Sequence, residues 1–295
     1  MKGKYQITGR GFTWACSPED PPVVMGILNL TPDSFSDGGQ FGTVDAALRR
    51  TEIMLNEGAA VVDVGAESSR PRGAVYGAGA EFLDAESEKK RLIPVLEALI
   101  RFFPEAVFSV DTYKSDVGRE ALLVGAHILN DITGLRYDAE LARVAAEFRV
   151  PLIVMHSTGT PGSLPHHVAH TDVMGVVKAA LQESIIQAES AGVSQLIVDP
   201  GFGFGKTYAE NLAILNRIPE LKTFNRPVLV GISRKSTIGA YLGTADQPVS
   251  VSERLFGTLG ATAVAVMRGA SIVRTHDVGE TVSFLRLLHE TRSVA

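Results

Sequence analysis

The feature that most constrains this chain is an alternation of strand-length apolar runs with helix-length segments, repeated eight times. The apolar runs are Val23–Leu28, Ala60–Val64, Val107–Val110, His127–Leu129, Leu152–Met155, Leu196–Val198, Val228–Ile232 and Ile272–Val273. The segments with helical period are Val44–Asn56, Ala85–Phe102, Ser115–Leu123, Ala139–Phe148, Asp172–Ala191, Tyr208–Asn216, Ser252–Met267 and Glu280–His289. The runs are continuously apolar, as in parallel strands buried on both faces. Gly58, Gly125, Gly192 and Gly269 each fall between a helix and the next strand, where a helix C-cap favours a left-handed residue. An open doubly wound sheet would show the same alternation, but a count of eight favours a (β/α)8 barrel, an α/β fold also called a TIM barrel. Residues 23–295 are expected to form that single barrel domain. Residues 1–22, with Tyr5, Ile7, Phe12 and Trp14 around Thr8–Gly11, are expected to make a hairpin over one end of it, stopped by Pro21-Pro22.

A barrel gathers the C-terminal ends of its strands on one face, and chemistry concentrates there. Here those ends carry Asn29, Asp63 with Glu67 to Arg70, Asp111, Asn130 with Asp131, His156, Asp199, Ser233 to Ser236, and Arg274 with His276. Single positions have plainer explanations. Asn130 and Asp131 could cap the next helix, Asp111 could pair with Lys114, Asp199 before Pro200 is an ordinary turn opener, and Asp63 could be a hydrogen bonder of the core. Stability alone does not ask for polar groups at every strand end, so the set as a whole reads as a site.

Asn29 opens a loop in which Thr31, Asp33, Ser34, Ser36 and Asp37 offer oxygens without a cation. That set suits a hard metal ion or a hydroxyl-rich ligand. The segment DPGFGFGK, Asp199–Lys206, is neither a dinucleotide fingerprint nor a P-loop, since its glycines run G-x-G-x-G and Pro200 stands where a P-loop needs its first Gly. It offers backbone with little side-chain cover and two rings, Phe202 and Phe204, able to stack on a flat ligand. Arg234, Lys235, Arg274 and His276 fall at the ends of strands seven and eight of the barrel, where such folds often hold phosphate. Lys235 could instead form a Schiff base, for which no partner base is evident. His166, His167 and His170 have spacing compatible with zinc but lie in a Pro- and Gly-flanked loop without cysteine, and read as a solvated loop; His127 and His289 read as structural. Asp111 and Asp199, with Asn130 between them, match a flat heterocycle rich in N–H donors, because an ionised Asp accepts two parallel bonds from a guanidine-like edge. The expected ligand is such a ring with a diphosphate tail, accompanied by Mg2+.

A net charge of −5 argues against a nucleic-acid footprint, which needs clustered Lys and Arg. The single Cys16 allows no internal disulfide, the first twenty residues contain no apolar core of signal-peptide length, and no apolar span is long enough for a bilayer. A cytoplasmic protein working on small molecules, without membrane or nucleic-acid partners, is expected.

MGILNLTPDSFSDGG (25–39), DVGAESSRP, SVDTYKSDV, GAHILNDI, the Met155-His156 pair, DPGFGFGK, GISRKS and RTHDV together resemble, in order and spacing, the motifs of bacterial dihydropteroate synthases, from about Val23 to the C-terminus. The resemblance implies a (β/α)8 barrel, usually homodimeric, that joins (7,8-dihydropterin-6-yl)methyl diphosphate to 4-aminobenzoate in folate biosynthesis. It also implies that Asn29 binds Mg2+ with the diphosphate, and that Asp111, Asn130, Asp199 and Lys235 hold the pterin beside Met155, Phe204 and Gly231. Arg274 and His276 would take the diphosphate, and Ser69, Arg70 and Ser236 the aminobenzoate end. Three departures bear on that last end: Ser157 and Thr158 after Met-His, Ser69 where Thr is common, and an additional Arg72. The Gly-rich loops Ser34–Phe41 and Pro71–Ala80 are expected to be mobile until ligands arrive. A pterin-binding methyltransferase domain and a pterin carrier without turnover are the alternatives; the methyltransferase would have no use for the Arg-x-His pair or the Asn29 loop.

Overall fold

The computed structural model describes residues 5–17, 19–30, 39–67, 82–159 and 168–294. Two short strands, β1 (Gln6–Gly9) and β2 (Phe12–Ala15), pair antiparallel. Eight parallel strands follow: β3 (Val23–Asn29), β4 (Val61–Gly65), β5 (Phe108–Asp111), β6 (Ile128–Asp131), β7 (Leu152–Met155), β8 (Leu196–Asp199), β9 (Leu229–Gly231) and β10 (Ile272–Thr275). The sheet order is β8-β7-β6-β5-β4-β3-β10-β9. A parallel bridge between Val198 and Val228 brings its two edges together, so the chain makes the expected (β/α)8 barrel rather than an open sheet. The helices are α1 (Gly39–Asn56), α2 (Ala85–Phe102), α3 (Ser115–Leu123), α4 (Glu140–Phe148), α5 (Val173–Ser190), α6 (Tyr208–Arg217), α7 (Ser236–Leu242), α8 (Leu255–Met267) and α9 (Val278–Ser293). Two differences from the sequence reading stand out. Helix α1 begins at Gly39, inside the Gly-rich stretch, and the connection from β9 to β10 holds two helices, α7 and α8, instead of one. Ser34–Gly38 and Pro71–Ala80 lie outside the described residues.

Side chains of a strand alternate between its two faces, and that period separates the core into two shells. The outward set, including Val24, Leu28, Val62, Val64, Phe108, Val110, Leu129, Val154, Val198, Val230 and Val273, packs against the helices. The inward set at the bottom of the barrel is Val23, Met25, Val61, Val107, Ile128, Ile153, Ile197, Leu229 and Ile272. Ile7 and Cys16 close that end from the hairpin side, backed by Tyr5, Phe12 and Trp14. Burying an isoleucine in this way is worth about 1.5–3 kcal/mol. The bottom is therefore a dry plug, and the opposite end is left for chemistry.

Candidate active site

Two residues further along most of the strands the inward face changes character. Val61 is followed by Asp63, Ile128 by Asn130, Ile153 by Met155, Ile197 by Asp199, Leu229 by Gly231 and Ile272 by Arg274; on β5 the inward positions run Val107, Ser109, Asp111. One apolar layer thus carries a polar layer on top of it, a consequence of the strand period. Asn29 ends β3 and pairs in register with Gly65. A Cβ on Gly65 would come within 3.3 Å of Asp111 Cβ, so the glycine leaves the space that Asp111 occupies.

The Arg274 guanidinium spans two acids. Its Nε donates to Asp63 Oδ2 at 2.6 Å and its Nη2 to Asp111 Oδ2 at 2.8 Å. Asn130 Nδ2 also donates to Asp63 Oδ2, at 3.0 Å. Asp63 is fully buried, and its second oxygen, Oδ1, has no hydrogen-bond partner. Burial works against the charge on Arg274, but Asp63 and Asp111 outweigh it and the guanidinium stays firmly protonated. Burial pushes Asp111 up to about 7 against the pull of Arg274. Asp199 is raised by burial too, with Lys235 opposing.

The far wall is the loop after β8. Gly201 N–H donates to Asp199 Oδ1 at 2.7 Å, which sets the carboxylate's orientation. Gly201, at φ +70°, has no room for a side chain, since a Cβ there would lie 1.7 Å from the His156 carbonyl oxygen. Lys206 is 3% exposed, and its ammonium donates to the carbonyls of Gly201 (2.8 Å), Phe204 (3.1 Å) and His156 (3.4 Å), an internal clasp for the loop. A Thr207–Glu210 capping box then starts α6 and fixes where the loop ends. Lys235 donates to the Phe202 carbonyl and sits 4.3 Å from the centroid of the Phe204 ring, which packs on Tyr113, Ile132 and Met155. Burial lowers both lysines to about 7, with Asp199 resisting in each case. A Cβ on Gly231 would meet Lys235 Nζ at 4.0 Å and Arg274 Cβ at 3.9 Å, ordinary contacts, so the chain itself does not require that glycine. The missing side chain leaves room for a ligand.

His276, one residue beyond β10, is tied to Ser233, whose hydroxyl lies 3.0 Å from His276 Nδ1 and accepts from His276 N at 3.2 Å. Arg234 turns outward onto Asp277, and Ser236 begins α7. The structure therefore brings together Asp111, Asn130, Met155, Asp199, Phe204, Gly231, Lys235 and Arg274, with Asn29, His276 and Ser236 on the neighbouring strand ends. Ser69, Arg70, Arg72, His166 and His167 lie outside the described residues. Lys114 pairs with Glu67 and Glu88 and not with Asp111, correcting the local pairing considered from sequence. Asp131 binds Thr133 and Leu135 of its own turn instead of capping a helix. Ser157 accepts from Arg136 Nη2 at 3.0 Å, and Thr158 lies where a Cβ on Gly205 would approach to 2.5 Å, so of the two departures after Met-His it is Thr158 that packs on the Gly-rich loop.

Sequence alone leaves Asp63 undecided between core and site, and it does not single out Lys206. Asp63 was detectable, because it lies two residues past Val61 on one strand and so shares its face. Lys206 had no such signal, since its role comes from carbonyls that the folded loop turns toward it.

Three buried acids (Asp63, Asp111, Asp199) face three cations (Arg274, Lys235, Lys206), so the formal charge of this inner set is zero. Such a mouth, with paired acids and cations above an apolar plug, has the make-up of the catalytic face of a barrel enzyme. Residues 25–276 match the family model described as pterin binding enzyme. The dihydropteroate synthase of Escherichia coli (strain K12) is 44% identical over 274 residues, 92% of each chain. Among solved structures, the Xanthomonas albilineans dihydropteroate synthase with 4-aminobenzoic acid superposes with a TM-score of 0.86 at 38% identity, covering 99% of this chain and 100% of that one. The Yersinia pestis dihydropteroate synthase in complex with a sulfonamide drug gives the same TM-score, identity and coverage. The chain belongs to the pterin binding enzymes, and within them to the bacterial dihydropteroate synthases.

Proposed function

We infer that this protein joins (7,8-dihydropterin-6-yl)methyl diphosphate to 4-aminobenzoate, giving 7,8-dihydropteroate and diphosphate in folate biosynthesis. The observation that carries the reading is the inward layer in which Asp111, Asn130 and Asp199 stand beside Arg274 and Lys235. An ionised carboxylate can accept the parallel N–H groups of the pterin's guanidine-like edge, and the Asn130 amide can both donate and accept. Met155 and Phe204 supply apolar faces for the ring.

Charge then orders the chemistry. The bond from the pterin methylene carbon to the diphosphate oxygen breaks, and its electron pair leaves with the diphosphate, which Arg274 and His276 hold. The methylene cation that remains is delocalised into the dihydropterin, where Asp111 and Asp199 stabilise it. The neutral amine of aminobenzoate donates its lone pair to that carbon, forming the new C–N bond, and one of its protons passes to the departing diphosphate. Ser69, Arg70 and Ser236 are assigned to the aminobenzoate end, the end at which sulfonamides would compete.

A diphosphate adds roughly two to three negative charges to an inner set whose own charges already cancel, so a further cation is needed. The amide oxygen of Asn29, half-buried at the end of β3, is a hard donor of the kind Mg2+ takes alongside waters and substrate phosphates. Asn29 would hold that ion, which when bound would neutralise the departing diphosphate. Purified protein given dihydropterin diphosphate, aminobenzoate and Mg2+ is expected to release diphosphate, and EDTA is expected to stop it; no release with all three present would overturn the reading. Aminobenzoate is expected to bind only after the diphosphate. Calorimetric binding of aminobenzoate to the protein alone, as tight as in the presence of diphosphate and Mg2+, would contradict that order.

The protein acts as a homodimer in this reading. Helix α8 exposes Phe256, Gly260, Val264 and Met267, one helical stripe without a polar residue, while its other face is buried. A helix apolar on both sides needs a second cover, and Tyr241 and Leu242 on α7 extend the same kind of exposed apolar surface. Phe256, at 84% exposed, is the natural centre of it. Phe256→Asp is expected to give a monomer in analytical ultracentrifugation, and an unchanged dimer would move the interface elsewhere. No helix among the described residues is long and apolar enough to cross a membrane. The single cysteine, buried under the hairpin, fits the reducing cytoplasm, where we place the protein.

A further inference from the structure

The turn from β9 to α7 carries site groups on both sides of one unusual residue. Ser233 holds His276 through its hydroxyl, and Lys235 reaches the Phe202 carbonyl beside the Phe204 ring. Between them stands Arg234, whose φ of +59° is left-handed. A residue with a Cβ disfavours that region roughly tenfold, so the turn keeps it only where its surroundings impose it.

The end of α8 imposes it. The Arg234 N–H donates to Thr258 Oγ1 at 3.2 Å, and the Arg234 carbonyl accepts from Arg254 Nη1 at 2.9 Å. The N–H belongs to the planar peptide unit that arrives from Ser233, and the carbonyl to the unit that leads into Lys235. Two bonds from one helix end therefore fix both planes that flank the left-handed residue. Its side chain is fixed as well, through Nε and Nη2 on Asp277.

Arg254 stands immediately before α8 and is 3% exposed. Among the described residues its partners are carbonyls and not acids: Nε and Nη2 both donate to Val249, at 3.1 and 2.9 Å, and Nη1 donates to Arg234. Gly239 of α7 leaves the space for it, since a Cβ there would lie 2.6 Å from Arg254 Nε. A buried cation without a carboxylate costs stability that an apolar side chain of similar size would not. What the guanidinium adds is its rigid fork, which spans two carbonyls and ties the connection between α7 and α8 to the turn after β9.

We propose that Arg254, assisted by Thr258, is a positioning residue for the pterin diphosphate substrate: it holds Arg234 left-handed, and so aims Ser233 at His276 and Lys235 at the ring pocket. This rests on the dihydropteroate synthase reading and adds a determinant to it. Supports of this kind act by orienting the groups that touch substrate, and a displacement well under the length of a bond is felt in binding.

The test is calorimetry with dihydropterin diphosphate, together with thermal melting, on full-length Arg254→Met, Thr258→Val and Arg234→Gly, singly and combined. Arg254→Met is expected to raise the Kd roughly tenfold, the preference against the left-handed region that it no longer offsets. Thr258→Val is expected to act in the same direction, and the two together to cost less than the product of their effects, because both work through one residue. Glycine enters the left-handed region without that penalty. Arg254→Met/Arg234→Gly is therefore expected to bind within about threefold of Arg234→Gly alone, while the melting temperature lost with Arg254 is not recovered. An unaltered Kd in Arg254→Met and Thr258→Val, or a weakened Kd that Arg234→Gly does not recover, overturns the proposal. If Arg254→Met does not fold, Thr258→Val with and without Arg234→Gly decides. Failure of the unsubstituted protein to bind dihydropterin diphosphate would overturn the parent reading as well, whereas normal binding by the variants would overturn this inference alone.

Discussion

Asp199→Asn is expected to weaken dihydropterin diphosphate binding about a thousandfold while the barrel still folds. Asparagine keeps the shape of the residue and an oxygen for the Gly201 N–H, which donates at 2.7 Å, so the backbone of the loop need not move. What it loses is the second acceptor and the charge. A site built to receive N–H groups loses about 10²–10⁴-fold when an acceptor is replaced by a donor, because the ligand's N–H then faces another N–H in a dry pocket. Lys206 and Lys235 also lose their opposing charge, which lowers both ammonium groups further below the usual lysine range. Calorimetry with dihydropterin diphosphate gives the affinity, and circular dichroism and thermal melting give the fold. Near-wild-type affinity would remove Asp199 from the ring site, and a collapsed melting curve would make it structural.

Arg274→Met is the second large effect, and it acts on stability and catalysis together. The guanidinium reaches two different carboxylates with two different nitrogens, Nε to Asp63 and Nη2 to Asp111. Without it, two acids face each other in a buried layer, and removing one partner of such a set typically costs about 3–5 kcal/mol. The sign of the pH dependence follows. Asp111 is already raised to about 7 in the intact protein, and loss of Arg274 raises it further. A carboxylate whose folded pKa lies above its unfolded one binds its proton more tightly in the folded state, so stability falls as pH rises through that interval. Arg274→Met is therefore expected to melt at a much lower temperature at pH 8 than at pH 5, a steeper change than in the unsubstituted protein. Turnover is expected to fall about a thousandfold, because the leaving diphosphate loses a charged donor. Arg274→Lys keeps the charge but cannot span both acids, and should recover part of the stability and little of the rate. Melting curves as flat with pH as those of the unsubstituted protein would show that the two acids do not depend on Arg274.

Much of this was readable from residues alone, for reasons that differ from element to element. Each of the eight barrel strands declared itself as a run of buried apolar residues, because parallel strands covered on both sides leave little place for polar groups. The polar ends of those runs gave most of the site by fold logic. Helix α7 is absent from the helical segments legible in the sequence, since Ser236–Leu242 is only seven residues long and follows β9 too closely for a period to develop. Arg274 was read as a phosphate donor, but its pairing with Asp63 across 211 residues could not be seen locally. Asp63 was left undecided for the same reason, although the strand period placed it on the inner face. Lys114 shows the opposite failure: proximity in sequence suggested Asp111, while the fold gave it Glu67 and Glu88, 47 and 26 residues away. Pairs of charges are decided by which strand ends converge, and only the closed barrel settles that.

The most direct measurement is a crystal structure of the protein with dihydropterin diphosphate bound. The pterin edge is expected to lie within about 3 Å of the carboxylates of both Asp111 and Asp199, with the diphosphate against Arg274 and His276. A ring seated away from those two acids, or a tail that avoids Arg274, would contradict the assignment of the barrel mouth.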